Sequence, residues 1–340
     1  MSGVKSTSEE IRRTAPYTFV WGLVLLLNNI LHAEENLMPT QWTPALMMQV
    51  QRIGSVQVSP DGRQVAFTVR QAVMEGEQSE YRTHIHLANA DGSNAKQFTQ
   101  GEKSCDDPQW SPDGRWIAFV SSRVSHKNLW VIRPDGGEAT QVTDLKSDVT
   151  SFKWSPDGRW LAFTALDPST PDEQQRVKEK DDARIVDENI KLSRLQVVPF
   201  SDPHSQNEKP RLLTPGDLSV VSDSARPGKA AFDWSPDSKT IVFSHTRTPR
   251  PDDWDTADLS LVDLASGTVS PFVQSKAAET SPLYSPNGQT IAFTVSDDPP
   301  TWAGARTVQI APAAGGAAKK LADTSDGFGR YSELVGWSAD

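Results

Sequence analysis

Apolar positions in this chain come in short runs, and one recurring turn launches them. The segments are VQVSPDGRQVAFTV from Val56, PQWSPDGRWIAFVS from Pro108, FKWSPDGRWLAFTA from Phe152, FDWSPDSKTIVFSH from Phe232 and PLYSPNGQTIAFTV from Pro282. In each turn Pro fixes φ at the second position, and in all but SPDS a Gly that follows tolerates the backbone the turn requires. The runs after it, such as RWIAFVS and KTIVFSH, are rich in β-branched and aromatic residues and read as strands. A second strand follows, as in NLWVIRP (128–134) or LSLVDLA (259–265). Then comes a hairpin turn, DGSN, DGGE, ASGT or AAGG, and a last short strand such as AKQFTQ or ATQVTD. With the strand entering the turn, each repeat predicts four antiparallel strands. The repeat serines Ser59, Ser111, Ser155, Ser235 and Ser285 lie 52, 44, 80 and 50 residues apart. A four-stranded unit of that length is one blade of a propeller.

The predicted fold is therefore all-β: a propeller of four-stranded antiparallel blades. A β-sandwich also uses many turns, but it does not need the same turn sequence in every repeat. The aromatic residue before the serine (Trp110, Trp154, Trp234, Tyr284) is expected to pack between blades. The chain ends ELVGWSAD, where Gly336-Trp337-Ser338 could open a G-x-S-x-G nucleophile elbow. Trp337-Ser338-Ala339-Asp340 instead aligns with Trp-Ser-Pro-Asp of the repeat, and Ser338 lies 53 residues after Ser285. Ser338 is thus read as a turn serine at the start of a sixth blade, with Ser332 to Trp337 as its first strand. The blades are expected at about 53–100, 105–145, 149–216, 229–275 and 279–323, with a partial one at 329–340 and a charged insertion, partly helical, at 167–191. A lead-in segment with a short helix occupies 34–52.

Composition narrows the chemistry. The net charge of −10 disfavours nonspecific binding to nucleic acid or anionic membrane. The single cysteine, Cys105, allows neither an internal disulfide nor a cysteine-based metal cage. Residues 1–33 carry Lys5, Arg12 and Arg13, then the apolar run FVWGLVLLLNNILHA, and Ala33 precedes Glu34-Glu35. That is the layout of a secretory signal peptide, with cleavage after Ala33 and a periplasmic or secreted product of bacterial type. The run is too short to span a bilayer, so no stable membrane insertion is expected once the signal is removed. His84 and His86 share a face of one strand; without a third ligand they read as surface histidines, not as a zinc site. Asp252-Asp253-Trp254-Asp255 lacks the glycine and distal glutamate of a calcium loop and reads as a solvated turn. No catalytic residue, metal or cofactor is expected in this chain.

WTPALMMQVQRIGSVQVSPDGRQVAF (42–67), DDARIVDENIKLSRLQVVPF (181–200) and TPRPDDWDTADLSLVDLASG (248–267), taken with the repeats, resemble a known family. It is the N-terminal β-propeller of the prolyl oligopeptidase superfamily (S9) of serine peptidases, nearest to its acylaminoacyl-peptidase and dipeptidyl-peptidase-like bacterial members. The resemblance implies a propeller that gates peptide access to an α/β-hydrolase domain bearing a Ser, Asp, His triad. No G-x-S-x-G occurs in this sequence, so the chain alone is expected to be inactive and truncated relative to a family ring of about seven or eight blades. The resemblance also implies that an acidic pair on a blade extension, here Asp187 and Glu188, holds a substrate's free amino group, and that Arg184 holds a carbonyl or carboxylate. Expected partners are peptide substrates in the intact enzyme, and further copies of the chain through open propeller edges. The alternative is a TolB-like periplasmic propeller that binds proteins. Such proteins carry a domain before the propeller, and the first repeat serine at Ser59 leaves little room for one.

Overall fold

The repeat turn explains its own composition. In the computed structural model the Ser155 hydroxyl donates to Asp157 Oδ1 at 2.6 Å and accepts the Trp160 N–H at 2.9 Å. The Ser155 amide donates to Trp160 O, and Gly158 donates back to Ser155 O. Ser59, Ser111, Ser235 and Ser285 each repeat the hydroxyl-to-acid bond, with Asn287 standing in for Asp in the last. All five serines are buried, so the side chains supply bonds that water would otherwise make. The hydroxyls hold the carboxyls of Asp61 and Asp237 below their ordinary range. In the fourth turn Ser238 takes the glycine position at φ 60°, and its hydroxyl accepts the Asp157 N–H at 3.1 Å.

The structure describes residues 42–181, 188–201, 208–221, 230–300, 306–321, 334 and 336–338. The chain divides into two compact units, residues 1–102 and 103–340. The first opens with helix α1, Pro44–Gln49, capped by Thr43. Its sheet runs in the order β1 (Arg52–Val58), β2 (Gln64–Glu75), β3 (Gln78–Asn89), β4 (Lys96–Gln97). β2 and β3 pair without interruption from Gln64↔Asn89 to Glu75↔Gln78, and Gly76 at φ 59° starts the turn between them.

The second unit holds four sheets. The first is β5 (Cys105–Trp110), β6 (Ile117–Ser121), β7 (Asn128–Ile132) and β8 (Thr140–Gln141). Next come β9 (Val149–Trp154), β10 (Trp160–Leu166), helix α2 (Pro171–Glu179), β11 (Ser193–Pro199) and β12 (Arg211–Leu212). The third sheet has five strands, β13 (Ser219–Val220), β14 (Phe232–Trp234), β15 (Thr240–Thr246), β16 (Asp258–Asp263) and β17 (Val269–Val273). β13 and β14 both pair with β15, so the entering strand is split there. The last sheet is β18 (Glu279–Tyr284), β19 (Thr290–Val295), β20 (Thr307–Pro312) and β21 (Lys319–Lys320). Antiparallel sheets of this kind in series are the predicted propeller class.

Strand alternation sets how these sheets stack. A run such as Ile-Ala-Phe puts two large residues on one face and a small one on the other. Ala118, Val120, Leu129 and Val131 of one sheet cluster with Phe152, Trp154, Leu161 and Phe163 of the next. Ala162, Leu195 and Val197 then meet Phe232, Trp234, Ile241 and Phe243, and Val242 and Leu259 meet Tyr284, Ile291 and Phe293. Within the second unit, each of the first three sheets thus lays its smaller face under the larger face of its successor. Trp154, Trp234 and Tyr284 are buried in these seams, as expected, and Trp110 is buried too.

Three expectations are corrected. A ring truncated as expected would cost the faces around Val65–Val69 and Ile291–Val295 their neighbours, yet Val65, Phe67, Val69, Ile291, Phe293 and Val295 are all buried. In the first unit it is Val56 and Val58 that stand open, at 38% and 46% exposed, on the face they share with Phe67 and Val65. His84 is buried, not superficial, and His86 packs against the Phe67 ring at 5.5 Å, because both face into the sheet with Phe67. Leu334, Gly336 and Trp337 are not in a strand. Trp337 nevertheless donates its Nε1–H to Leu283 O at 3.3 Å. Trp154 makes the same bond to Gln109 O and Trp234 to Lys153 O, each acceptor directly preceding the aromatic of the previous repeat. The repeat register at Ser338 is therefore visible in the structure.

Candidate functional site

The connections between the second and third strands carry the second unit's long excursions. They are 167–192, 247–257 and 296–306, and they leave the same end of their sheets. The first begins with an acid and ends with a base. Arg194 grips Asp167 with Nε at 2.9 Å and Nη2 at 3.2 Å. Its Nη1 donates to the carbonyls of Thr214, Gly216 and Leu218. A planar guanidinium can serve carboxylate and carbonyls together because its donors point in fixed directions. The Asp167 amide donates to Leu192 O, which closes the neck.

Beyond the neck stands α2, with no buried residue. A capping box holds its start: Glu173 N–H donates to Thr170 Oγ1, and Thr170 N–H to Glu173 Oε2 at 2.6 Å. Lys191 reaches the same carboxylate at 2.7 Å, and its ammonium, with the Thr170 amide, holds Glu173 below its ordinary range. Of the residues proposed for substrate contact, Arg184 and Asp187 lie outside the described residues. Glu188 is described and exposed. The second excursion is a 3-10 helix, Pro251–Thr256. Asp253 accepts from the Thr248 hydroxyl, so its carboxylate is committed to the loop itself.

Two arrangements on this rim were not legible beforehand. Glu279 opens β18 almost fully buried. Its Oε1 accepts from the Ser275 hydroxyl, its amide donates to Ala257 O at 2.7 Å, and its carbonyl accepts from Ser244 Oγ at 2.9 Å. Oε2 has no hydrogen-bond partner among the described residues. Burial, and the nearby Asp258 charge, push the Glu279 carboxyl up; Asp258 is itself raised by burial. The second arrangement is His245 Nε2 at 2.8 Å from Ser260 Oγ, with Asp258 directly across from His245 in the strand register. A Ser, His, Asp grouping invites a nucleophilic reading. Both Ser260 and His245 are buried within the sheet, so a substrate carbonyl has no approach, and the bond satisfies two interior polar groups.

The entering strands form a second polar belt. Gln109 donates to Phe152 O at 2.8 Å, Lys153 meets Asp233 at 2.9 Å, and Asp233 accepts the Tyr284 amide at 2.8 Å. Each residue before an aromatic thus ties its sheet to the next. At the bulge in β5, Asp107 sits at φ 51°. Burial pushes its carboxyl up to about 7, opposed by Gln109 at 3.1 Å and assisted by the Asp106 charge. Among the described residues no three His, Cys, Asp or Glu side chains are grouped to hold a metal ion. None of their helices is long and apolar enough to cross a membrane, and residues 1–33 lie outside the described residues.

The model of the family described as the PD40 TolB beta propeller domain matches residues 46–205. The chain carries a PD40 propeller domain. Over 79 residues this PD40 chain is 32% identical to dipeptidyl-peptidase 5 of Porphyromonas endodontalis, covering 23% of this chain and 11% of that protein. Over 67 residues it is 37% identical to the uncharacterized peptidase YuxL of Bacillus subtilis, covering 20% and 10%. It is similar in structure to the acylaminoacyl peptidase of Pyrococcus horikoshii, with a TM-score of 0.59 and 18% identity over 84% of this chain and 42% of that one. A puromycin-hydrolyzing peptidase of Mycobacterium tuberculosis matches with a TM-score of 0.55 and 14% identity over 79% and 38%. At these identities the structural likeness is one of fold. The PD40 chain spans less than half the length of these relatives.

Proposed function

We propose that this PD40 propeller is the substrate-gating domain of an exported serine peptidase of the prolyl oligopeptidase type, with hydrolysis performed by an α/β-hydrolase domain. The observation that carries the reading is that three curated relatives, similar to the chain over 67, 79 and 80 residues, are named as peptidases. Supporting it, the excursion between β10 and β11 stands on a rigid Arg194–Asp167 neck and presents Glu188 to solvent. A carboxylate so placed suits the cationic amino terminus of a peptide. Export follows from the layout of residues 1–33. A protein-binding role of the TolB type is favoured by a different feature. It is the groove lined by Trp116, Arg133, Gly158 and Phe200, where the Arg133 guanidinium lies 5.7 Å over the Trp116 ring.

The test is fluorescence anisotropy on the purified chain, with a labelled tetrapeptide carrying either a free or an acetylated amino terminus. The free form should bind several-fold more tightly, and Glu188→Gln should remove the difference. Equal binding of the two forms, or no binding of either, overturns the amino-terminal anchor. A fluorophosphonate serine-hydrolase probe should leave the chain unlabelled; labelling abolished by Ser338→Ala would restore the elbow reading of Ser338.

A further inference from the structure

The last repeat turn departs from the others at one position. Asn287 stands where Asp61, Asp113, Asp157 and Asp237 stand, and Gly288 follows it. It is the only Asn-Gly step in the sequence. In an open chain such a step reacts with itself. Glycine has no side chain to hinder its backbone nitrogen, so that nitrogen can attack Cγ of the preceding Asn. An N–Cγ bond forms, the nitrogen loses its proton, and the side-chain nitrogen leaves as ammonia. Water then opens the five-membered imide. Breaking the new N–Cγ bond yields Asp. Breaking the bond to the backbone carbonyl yields isoaspartate, whose main chain runs through Cβ and Cγ. In sum, water is consumed and ammonia is released.

The folded turn holds both reacting groups. The Gly288 N–H donates to Ser285 O at 2.8 Å. Asn287 Oδ1 accepts from the Ser285 hydroxyl at 2.8 Å and from the Gln289 N–H at 3.0 Å. Cyclisation requires these bonds to be given up. Asn287 is itself exposed, so water reaches it and burial does not protect it. The turn is seated on its neighbour: Ser285 is buried, and a Cβ on Gly288 would lie 3.4 Å from Pro236 of the preceding repeat turn. Opening the turn therefore disturbs its packing on the preceding sheet.

The two products differ in fit. In the four Asp turns the serine hydroxyl meets the carboxylate at 2.6 or 2.7 Å. The N–H two residues on donates to the same oxygen. An Asp at position 287 meets the same donors with a charged acceptor, which strengthens both bonds. Isoaspartate adds an atom to the main chain between Ser285 O and the Gly288 N–H and shortens the side chain, so the turn cannot close as before. We propose that Asn287 is a self-modifying site that the folded turn keeps shut. Unfolding of this turn converts it one way, to Asp, which the fold retains, or to isoaspartate, which the fold rejects. The residue thereby marks chains that have lost the last sheet.

Deamidation of the full chain in mildly alkaline buffer, with and without guanidinium chloride, tests this. Mass spectrometry with chromatographic separation follows the Asn, Asp and isoaspartate forms of the peptide carrying residue 287. A synthetic peptide of residues 283–291 in the same two buffers corrects for the effect of the denaturant on the chemistry. The denatured chain should convert at the peptide's rate, and the folded chain at least about tenfold more slowly, because only its open fraction reacts. Equal rates in the folded chain and the peptide overturn the proposal, as does a denatured chain that keeps its amide. The converted chains are then refolded and exposed to thermolysin. The resistant fraction should be depleted of isoaspartate relative to Asp; equal shares overturn the discrimination between products. By circular dichroism the Asn287→Asp chain should melt no lower than the parent, and a lower melt overturns the claim that the fold retains Asp.

Discussion

Replacing Asp107 with Asn should stabilise the folded chain at neutral pH and remove a pH dependence from it. The carboxyl has its ordinary value in the unfolded chain, near 3.8, and about 7 in the fold, where burial opposes its charge. The folded state therefore holds a proton that the unfolded state has released between those two values. Its stability contribution is fully present below pH 4, falls as pH rises to 7, and is flat above. A difference of about 3 units corresponds to about 4 kcal/mol at 1.36 kcal/mol per unit. Asp107 keeps some contact with solvent, which lowers the expected effect to about 2 kcal/mol. Asn is the informative replacement. It tolerates the left-handed backbone that Asp107 adopts at φ 51°, and its Oδ1 can still accept from Gln109. The assay is urea unfolding of the parent and Asp107→Asn chains from pH 4 to 9, read as the difference between them. That difference should be near zero at pH 4, climb through pH 5–6 and level off above 7. Parallel pH profiles would refute the assignment of the cost to this carboxyl.

Two further outcomes follow from the geometry. Ser155→Ala strips the buried turn of the Asp157 bond and leaves the Trp160 N–H without its acceptor, so urea unfolding should show a loss of about 1–3 kcal/mol; a loss below 0.5 would mean that the hydroxyl is replaceable by water. Arg194→Lys cannot reproduce the forked grip on Asp167 and three carbonyls, and trypsin should then cut several-fold faster at Arg176 or Lys178 of α2, whereas an unchanged rate would show that the neck does not restrain the excursion.

Much of the fold was legible in the sequence because its determinants are local. The repeat turn closes through bonds spanning no more than five residues, and the strands after it alternate large and small side chains with period two. Those patterns foretold four antiparallel strands per repeat, the burial of Trp110, Trp154 and Trp234, and the register of Trp337. What tertiary structure decided depends on residues far apart in the chain. Lys153 meets Asp233 across 80 residues, and Trp234 finds its acceptor across 81. The burial of Glu279, whose backbone meets Ser244 and Ala257 of the preceding repeat, and the burial that raises the Asp107 carboxyl are recorded by no pattern along one strand. The split of an entering strand into β13 and β14 appeared in the sequence only as a long interval before Ser235. His84 was misread for the same reason. Its polarity suggested the surface, but the face it occupies is fixed by its register opposite Val69, and that side of the sheet is buried. Local chemistry fixes turns and strand faces; which faces are enclosed is set only when the sheets assemble.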